Sequence, residues 1–146
     1  MTTAARSVID IPQDMAECAA ALTEPAATAL HAIDRATRAL ARPLAECHVL
    51  VLGCGAIGLL SALLLERYGV RHIAVADTNA LRRRSVAKET SARVYDPAAD
   101  AAPADGSVDL VIDAVGAKST RAAALAAVKP GGVVLHVGLQ DWASEI

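Results

Sequence analysis

The sequence contains no phenylalanine, and aromatic residues make up only 2% of it. Its core must therefore be assembled from Ala, Val, Leu and Ile. Charge of one sign is also lacking. A net charge of −2 supplies no electrostatic argument for nucleic acid or an anionic membrane surface as a partner. Long apolar runs are missing: the longest, Ile57 to Leu65, is interrupted by Gly58 and Ser61 and is too short to span a bilayer. No apolar signal-peptide core follows Met1-Thr2-Thr3-Ala4-Ala5-Arg6. Cysteine is scarce. Cys18, Cys47 and Cys54 are odd in number and share no paired-ligand spacing, which fits reduced thiols in a cytoplasmic protein. Each reads as a small buried apolar residue rather than a metal ligand. What remains is 146 residues, 54% hydrophobic and 21% charged, enough for a soluble globular chain with a sizeable core.

The chain is organised around Val49-Leu50-Val51-Leu52-Gly53-Cys54-Gly55-Ala56-Ile57-Gly58. Four apolar residues run into a glycine turn, and an apolar helical segment, Leu59 to Glu66, follows at once. A buried strand, a tight loop and a helix N-terminus in that order suit a diphosphate. Gly53 permits a sharp turn, Gly55 lets a ligand approach the main chain, and Gly58 lets the helix pack closely on the strand. A turn that merely needs small residues would show the same glycines. The next element strengthens the ligand reading. Arg71 to Ala76 reads as a second strand, and Asp77 at its end stands nineteen positions after Gly58, close to the spacing of an acid that holds an adenosine ribose.

Before this unit, Val8-Ile9-Asp10-Ile11-Pro12 reads as a short strand or an extended lead-in. Asp14 is placed to cap a helix from Met15 to about Leu22, which Thr23-Glu24-Pro25 breaks. Pro25 then suits the first turn of a second helix, with Ala26, Leu30, Ile33, Thr37 and Leu40 on one face. After Asp77 comes a helix over Ala80 to Ser91. Its Arg82-Arg83-Arg84 run reads as a solvated face, except that Arg82 could lie over an adenine. Arg93 to Tyr95 is a third strand, Asp96 to Ser107 a loop or weak helix, and Val108 to Asp113 an apolar fourth strand. Ser119 to Val128 is a helix stopped by Lys129-Pro130-Gly131-Gly132, and Val133 to Val137 is a fifth strand. Trp142 and the residues after it have no assignment, and no repeat exists beyond the βα alternation.

This alternation predicts an α/β, doubly wound parallel sheet of the Rossmann type, about five strands, preceded by a helical linker segment. Residues 1–45 would form the lead-in and linker helices, and residues 46–146 the nucleotide-binding domain. Gly53, Asp77, Val115-Gly116 and Gly138-Leu139 all fall at strand carboxyl ends, where such sheets bind ligands.

The series of motifs resembles the cofactor domain of the medium-chain dehydrogenase family, in its zinc-dependent alcohol and polyol branch. It comprises Leu22-Thr23-Glu24-Pro25 with Thr28 and His31, then Val49 to Gly58, and Asp77-Thr78-Asn79 with Arg82. Asp113-Ala114-Val115-Gly116 and Lys129 to Gly132 leading to His136-Val137-Gly138-Leu139 complete it. The resemblance spans roughly Val8 to Asp141. It implies hydride transfer between NAD and an alcohol or sugar alcohol. It also implies a role for each matching residue. The backbone at Gly55, Ala56 and Ile57 would hold the pyrophosphate, within the frame of Gly53 and Gly58. Asp77, beside Asn79, would accept from both ribose hydroxyls and repel a 2′-phosphate, favouring NAD over NADP; Arg82 would pack on the adenine. Thr28, Val115, Gly116, Val137, Gly138 and Leu139 would surround the nicotinamide. Glu24 occupies the position of a ligand to the catalytic zinc or its water, as in the sorbitol-type branch, although an acid at a helix start also serves the dipole. His31 and His136 read as structural.

The family's catalytic domain, its remaining zinc ligands, its cysteine-rich zinc lobe and its sixth strand have no counterpart in this sequence. Zinc is thus expected only in a full-length context, and this chain is expected to bind NAD(H) without catalysing alone. It would act as part of a homo-oligomer or beside a separate catalytic chain. Two other readings stay open. An S-adenosylmethionine methyltransferase shares Leu52-Gly53-Cys54-Gly55 and Lys129 to Gly132, yet would carry an acid where Val51 stands. A non-catalytic dinucleotide-binding module would keep the site without the chemistry.

Overall fold

Apolar runs separated by glycine turns fold here into strands buried on both faces. In the computed structural model, which describes residues 4–141, β1 (His48–Leu52), β2 (His72–Ala76), β3 (Arg93–Tyr95), β4 (Val108–Asp113) and β5 (Val128–His136) form one sheet. Its order is β3-β2-β1-β4-β5, and every pairing is parallel. The Rossmann-type α/β expectation is borne out. The pleat divides β1 between two cores: Val49 and Val51 join one cluster, Leu50 and Leu52 the other. Helices α2 (Thr23–Ala39), α3 (Ala56–Arg67) and α4 (Ala80–Glu89) send Ile33, Ala36, Ala62, Leu65 and Val86 into the first cluster. Helix α5 (Lys118–Ala127) sends Ala124 and Ala127 into the second, beside Tyr95. Each fully buried Val, Leu or Ile contributes about 1.5–3 kcal/mol, and small alanines let the helices lie close to the sheet.

The first forty residues depart most from expectation. Of the two readings of Val8 to Pro12, the strand does not form; the stretch has no regular structure, which leaves the lead-in, with Ile9 90% exposed. Asp14 does not cap a helix, because it lies in a turn closed by the Met15 N–H donating to the Pro12 carbonyl at 3.0 Å. Helix α1 is only Glu17–Ala20, and its N-cap is Ala16. Thr23-Glu24-Pro25 does not break the chain but opens α2. A proline in a first turn forfeits no hydrogen bond. The buried stripe of α2 is Ala29, Ala32, Ile33 and Ala36, whereas Leu30 is 44% exposed. Ile33 was common to both stripes, and close packing on α3 selected the alanine side. Cys18 is exposed, against expectation, while Cys47 and Cys54 are buried. Trp142, which the sequence left without an assignment, lies outside the described residues.

Lys129-Pro130-Gly131-Gly132 stops α5 as expected but belongs to β5. Val128 pairs with Val108 and Val133 with Leu110, so the segment bulges out between two ladder positions. The bulge brings Lys129 onto Asp109, a carboxylate 2% exposed. Asp109 Oδ2 also accepts the His48 N–H at 2.9 Å, and Arg42 Nη1 lies 3.4 Å from Oδ1. Burial pushes the Asp109 pKa upward, but the Lys129 and His48 hydrogen bonds and the charges of Lys129 and Arg42 outweigh it and hold the pKa below its ordinary value of 3.8. A depressed carboxylate stabilises the fold fully above that value and loses its contribution as pH falls below it. Asp109→Asn is accordingly expected to cost about 2 kcal/mol at neutral pH. The gap from wild type should narrow below pH 3.8 in denaturant titrations. A gap independent of pH would mean that the charge of Asp109 contributes nothing.

Candidate functional site

Strand order reverses between β1 and β4, and the loops leaving their carboxyl ends diverge there. Gly53 turns the chain out of β1 with φ of +100°, a conformation that side chains resist. Its N–H donates to the Ala76 carbonyl at 2.7 Å, while the Ala114 N–H donates to the Leu52 carbonyl at 2.9 Å. The end of β1 is thus tied to both neighbours. A Cβ on Gly58 would collide with the Gly53 carbonyl, so the first turn of α3 rests directly on the loop. Gly55 is the N-cap of α3 and carries no side-chain cap. The N–H groups of Ala56, Ile57 and Gly58 precede the first bond along the helix, from the Leu59 N–H to the Gly55 carbonyl at 2.9 Å. With the helix dipole behind them, these donors favour an anion.

Asp77 closes this loop from the other side. Its Oδ2 accepts the Cys54 N–H at 2.7 Å, and its Oδ1 accepts the Asn79 N–H at 2.7 Å. Asn79 is itself engaged: its side-chain oxygen caps α4, accepting from the N–H groups of Leu81 at 2.9 Å and Arg82 at 3.2 Å. Burial, followed by the nearby Asp77 charge, pushes the Cys54 thiol up to about 12. Cys54 is therefore a neutral, unreactive thiol at physiological pH.

Seven of the expected site residues divide between two clefts, whereas Gly55, Ala56, Ile57, Gly58 and Asn79 line neither. One, of about 490 Å³, is lined by Gly53, Asp77, Arg82 and Val115, together with Thr78, Pro97, Ala98, Ser119, Thr120 and Gln140. The other, of about 660 Å³, is lined by Glu24, Thr28 and Val137, together with His31, Arg35 and His136. Both helical-face residues expected to share a side, Glu24 and Thr28, do so; the Thr28 hydroxyl donates to the Glu24 carbonyl at 3.3 Å. Gly116 and Gly138 line neither cleft. They join the two exit loops, because a Cβ on either would strike the backbone of the other loop. Leu139 is 69% exposed and lies outside both clefts.

Sequence reasoning missed the group that holds this junction. Asp113 is fully buried at the end of β4. Its Oδ1 accepts the N–H groups of Val115 at 3.1 Å and Gly116 at 2.9 Å, and its Oδ2 lies 3.1 Å from His136 Nδ1. The Asp113 carbonyl accepts from both Val137 and Gly138, each at 2.9 Å. An Asp two and three residues ahead of a turn was the available signal, since such a side chain commonly accepts those backbone donors. The pairing also gives His136 the structural role expected of it, although one side of its ring borders the larger cleft.

A family model described as glucose dehydrogenase C-terminus matches residues 17–146. The chain belongs to the zinc-dependent medium-chain dehydrogenase family. L-galactonate-5-dehydrogenase of Escherichia coli is 37% identical over 128 residues, which are 83% of this chain and 36% of that protein. Glucose 1-dehydrogenase of Thermoproteus tenax is 30% identical over 99% of this chain and 42% of its own length. Among solved structures, a putative zinc-binding dehydrogenase from Sinorhizobium meliloti bound to NADP has a TM-score of 0.72 at 26% identity, covering 84% of this chain and 37% of that one. Acetophenone reductase from Geotrichum candidum in complex with NAD has a TM-score of 0.77 at 25% identity, covering 90% and 37%. This chain thus spans about two-fifths of the length of each of these four relatives. Relatives of both nucleotide types are represented, and the methyltransferase alternative is not favoured. Among the described residues, no helix is long and apolar enough to cross a membrane. Nor do three His, Cys, Asp or Glu side chains converge there as a metal site.

Proposed function

We propose that this chain is the NAD(H)-binding part of a zinc-dependent alcohol or polyol dehydrogenase. The observation that carries the reading is Asp77. Its carboxylate is fixed by the glycine loop itself, through the Cys54 N–H, and borders the smaller cleft. The cradle fits a dinucleotide. Uncapped N–H groups of Ala56 and Ile57 suit the pyrophosphate, and the open surface at Gly55 gives it room, since nothing lies within 4 Å of a Cβ built there. Asp77 then accepts from the adenosine ribose, Arg82 flanks the adenine, and Val115 stands at the turn toward the second cleft. That cleft, with Thr28 and Val137 on its walls, receives the nicotinamide, which supplies or accepts the hydride when bound. Gly116, Gly138 and Leu139 shape the passage between the two.

NAD is favoured over NADP, because the Asp77 charge would repel a 2′-phosphate. A catalytic zinc takes three protein ligands, and the described residues do not provide them. Glu24 is proposed to offer one ligand only, in a chain of the relatives' length. The reading implies no turnover of alcohol by these residues alone. It also implies a cytoplasmic setting and association with a second copy or a catalytic chain. A calorimetric titration with NADH, NADPH and S-adenosylmethionine tests it. Selective binding of NADH is expected. Binding of S-adenosylmethionine alone, or of none of the three, would overturn the proposal.

A further inference from the structure

We infer that Arg83 is a specificity-determining residue, which the ion pair with Asp96 keeps away from the nucleotide's ribose. This rests on the dinucleotide reading above and deepens it. Of the three consecutive arginines, Arg83 is the one turned inward, its side chain 21% exposed. Nη1 donates to the Asp77 carbonyl at 2.7 Å, and Nη2 lies 3.0 Å from Asp96 Oδ2. Asp96, 23% exposed, is equally committed. Its Oδ1 accepts the Ala98 N–H at 3.0 Å, and its own N–H donates to Asp100 Oδ2 at 2.7 Å. The guanidinium therefore bridges the two walls of the smaller cleft, Asp77-Thr78 on one side and Pro97-Ala98 on the other.

The electrostatic consequence bears on the 2′ position. A ribose carrying a free 2′-hydroxyl offers Asp77 a donor. A ribose carrying a 2′-phosphate brings a dianion against that carboxylate and needs cations to compensate. Arg82 lines the cleft and is exposed, but it is a single charge. Arg83 would be the second, one residue further along α4. Asp96 neutralises it, and the Asp77 carbonyl holds its fork in a fixed direction. Discrimination against a 2′-phosphate thus depends on two carboxylates: Asp77, which repels it, and Asp96, which withholds the cation that would attract it.

Calorimetry on the whole chain tests this with three variants. Asp96→Asn leaves a side chain of the same size and releases the charge of Arg83. Its NADPH affinity is expected to rise about tenfold relative to its NADH affinity, the scale of one charge-assisted contact. Arg83→Met should show no such gain, and the double variant Asp96→Asn with Arg83→Met should lose it again. A bridge that merely held the walls together would weaken both nucleotides alike in Asp96→Asn, and an unchanged NADPH to NADH ratio overturns the inference. Failure of the dinucleotide reading looks different: wild type itself would then bind neither nucleotide, and both proposals would fall together.

Discussion

Gly55→Val is expected to weaken NADH binding about a hundredfold while leaving the fold in place. Gly55 has φ of −71° and ψ of −170°, an extended conformation open to any residue. A Cβ there meets nothing within 4 Å. The fold therefore does not require glycine at this position. Valine is a poorer N-cap, which should cost no more than about 1 kcal/mol. The added isopropyl group above the loop would nevertheless occupy the space through which a pyrophosphate would reach the Ala56 and Ile57 N–H groups. A loss on the order of a hundredfold in affinity corresponds to about 2.7 kcal/mol. Gly58 provides the contrast. Its Cβ would run into the Gly53 carbonyl, so Gly58→Ala should lower stability by about 1–3 kcal/mol through overpacking. Thermal melts and NADH titrations of the two variants separate the roles. Normal NADH affinity in Gly55→Val would place the ligand elsewhere.

These glycines show what was legible in the chain and what was not. Spacing alone separated the turn at Gly53 from the packing position at Gly58, because a positive φ at one and a carbonyl against the other leave room only for glycine. The sheet was equally legible. Val49 to Leu52 are apolar on both faces and Val108 to Asp113 mostly so, a pattern that suits a central parallel strand. The first forty residues were not. Ile9, Ile11 and Met15 are all more than 40% exposed, so their alternation answered to no burial. In α2 the true buried stripe is mostly alanine, and a hydrophobic period drawn through Leu30 pointed to the wrong side. Alanine is small enough to serve on either face, and only the tertiary neighbour decides between them.

The polar side chains that organise the site were the least visible. Asp113, Asp109 and the Arg83–Asp96 pair act across long sequence separations, and no local period records a partner 13 or more residues away. Arg83 in particular sits in a run that reads as a solvated face, and two of its three members do lie exposed. A charged residue inside an apolar strand was the one available hint. Asp109 and Asp113 both interrupt β4, and a carboxylate in that position is retained only where donors await it.

Asp77→Asn should weaken NADH binding by about 10- to 100-fold, the loss of one charged acceptor worth about 1.5–3 kcal/mol. The structure adds a second consequence. The carboxylate accepts two backbone donors, Cys54 N–H and Asn79 N–H, one on each oxygen. An amide keeps one acceptor and turns its NH2 toward the other donor, so about 1 kcal/mol of stability should go as well. The two effects are separable, because the first is read from affinity of the folded protein and the second from its denaturation. A stability loss with NADH affinity intact would make Asp77 a brace of the glycine loop and nothing more. Affinity lost together with stability makes it both brace and ribose acceptor. On the proposed reading the two roles are linked, because the oxygen atoms that would meet the nucleotide are held by the loop that would receive its phosphates.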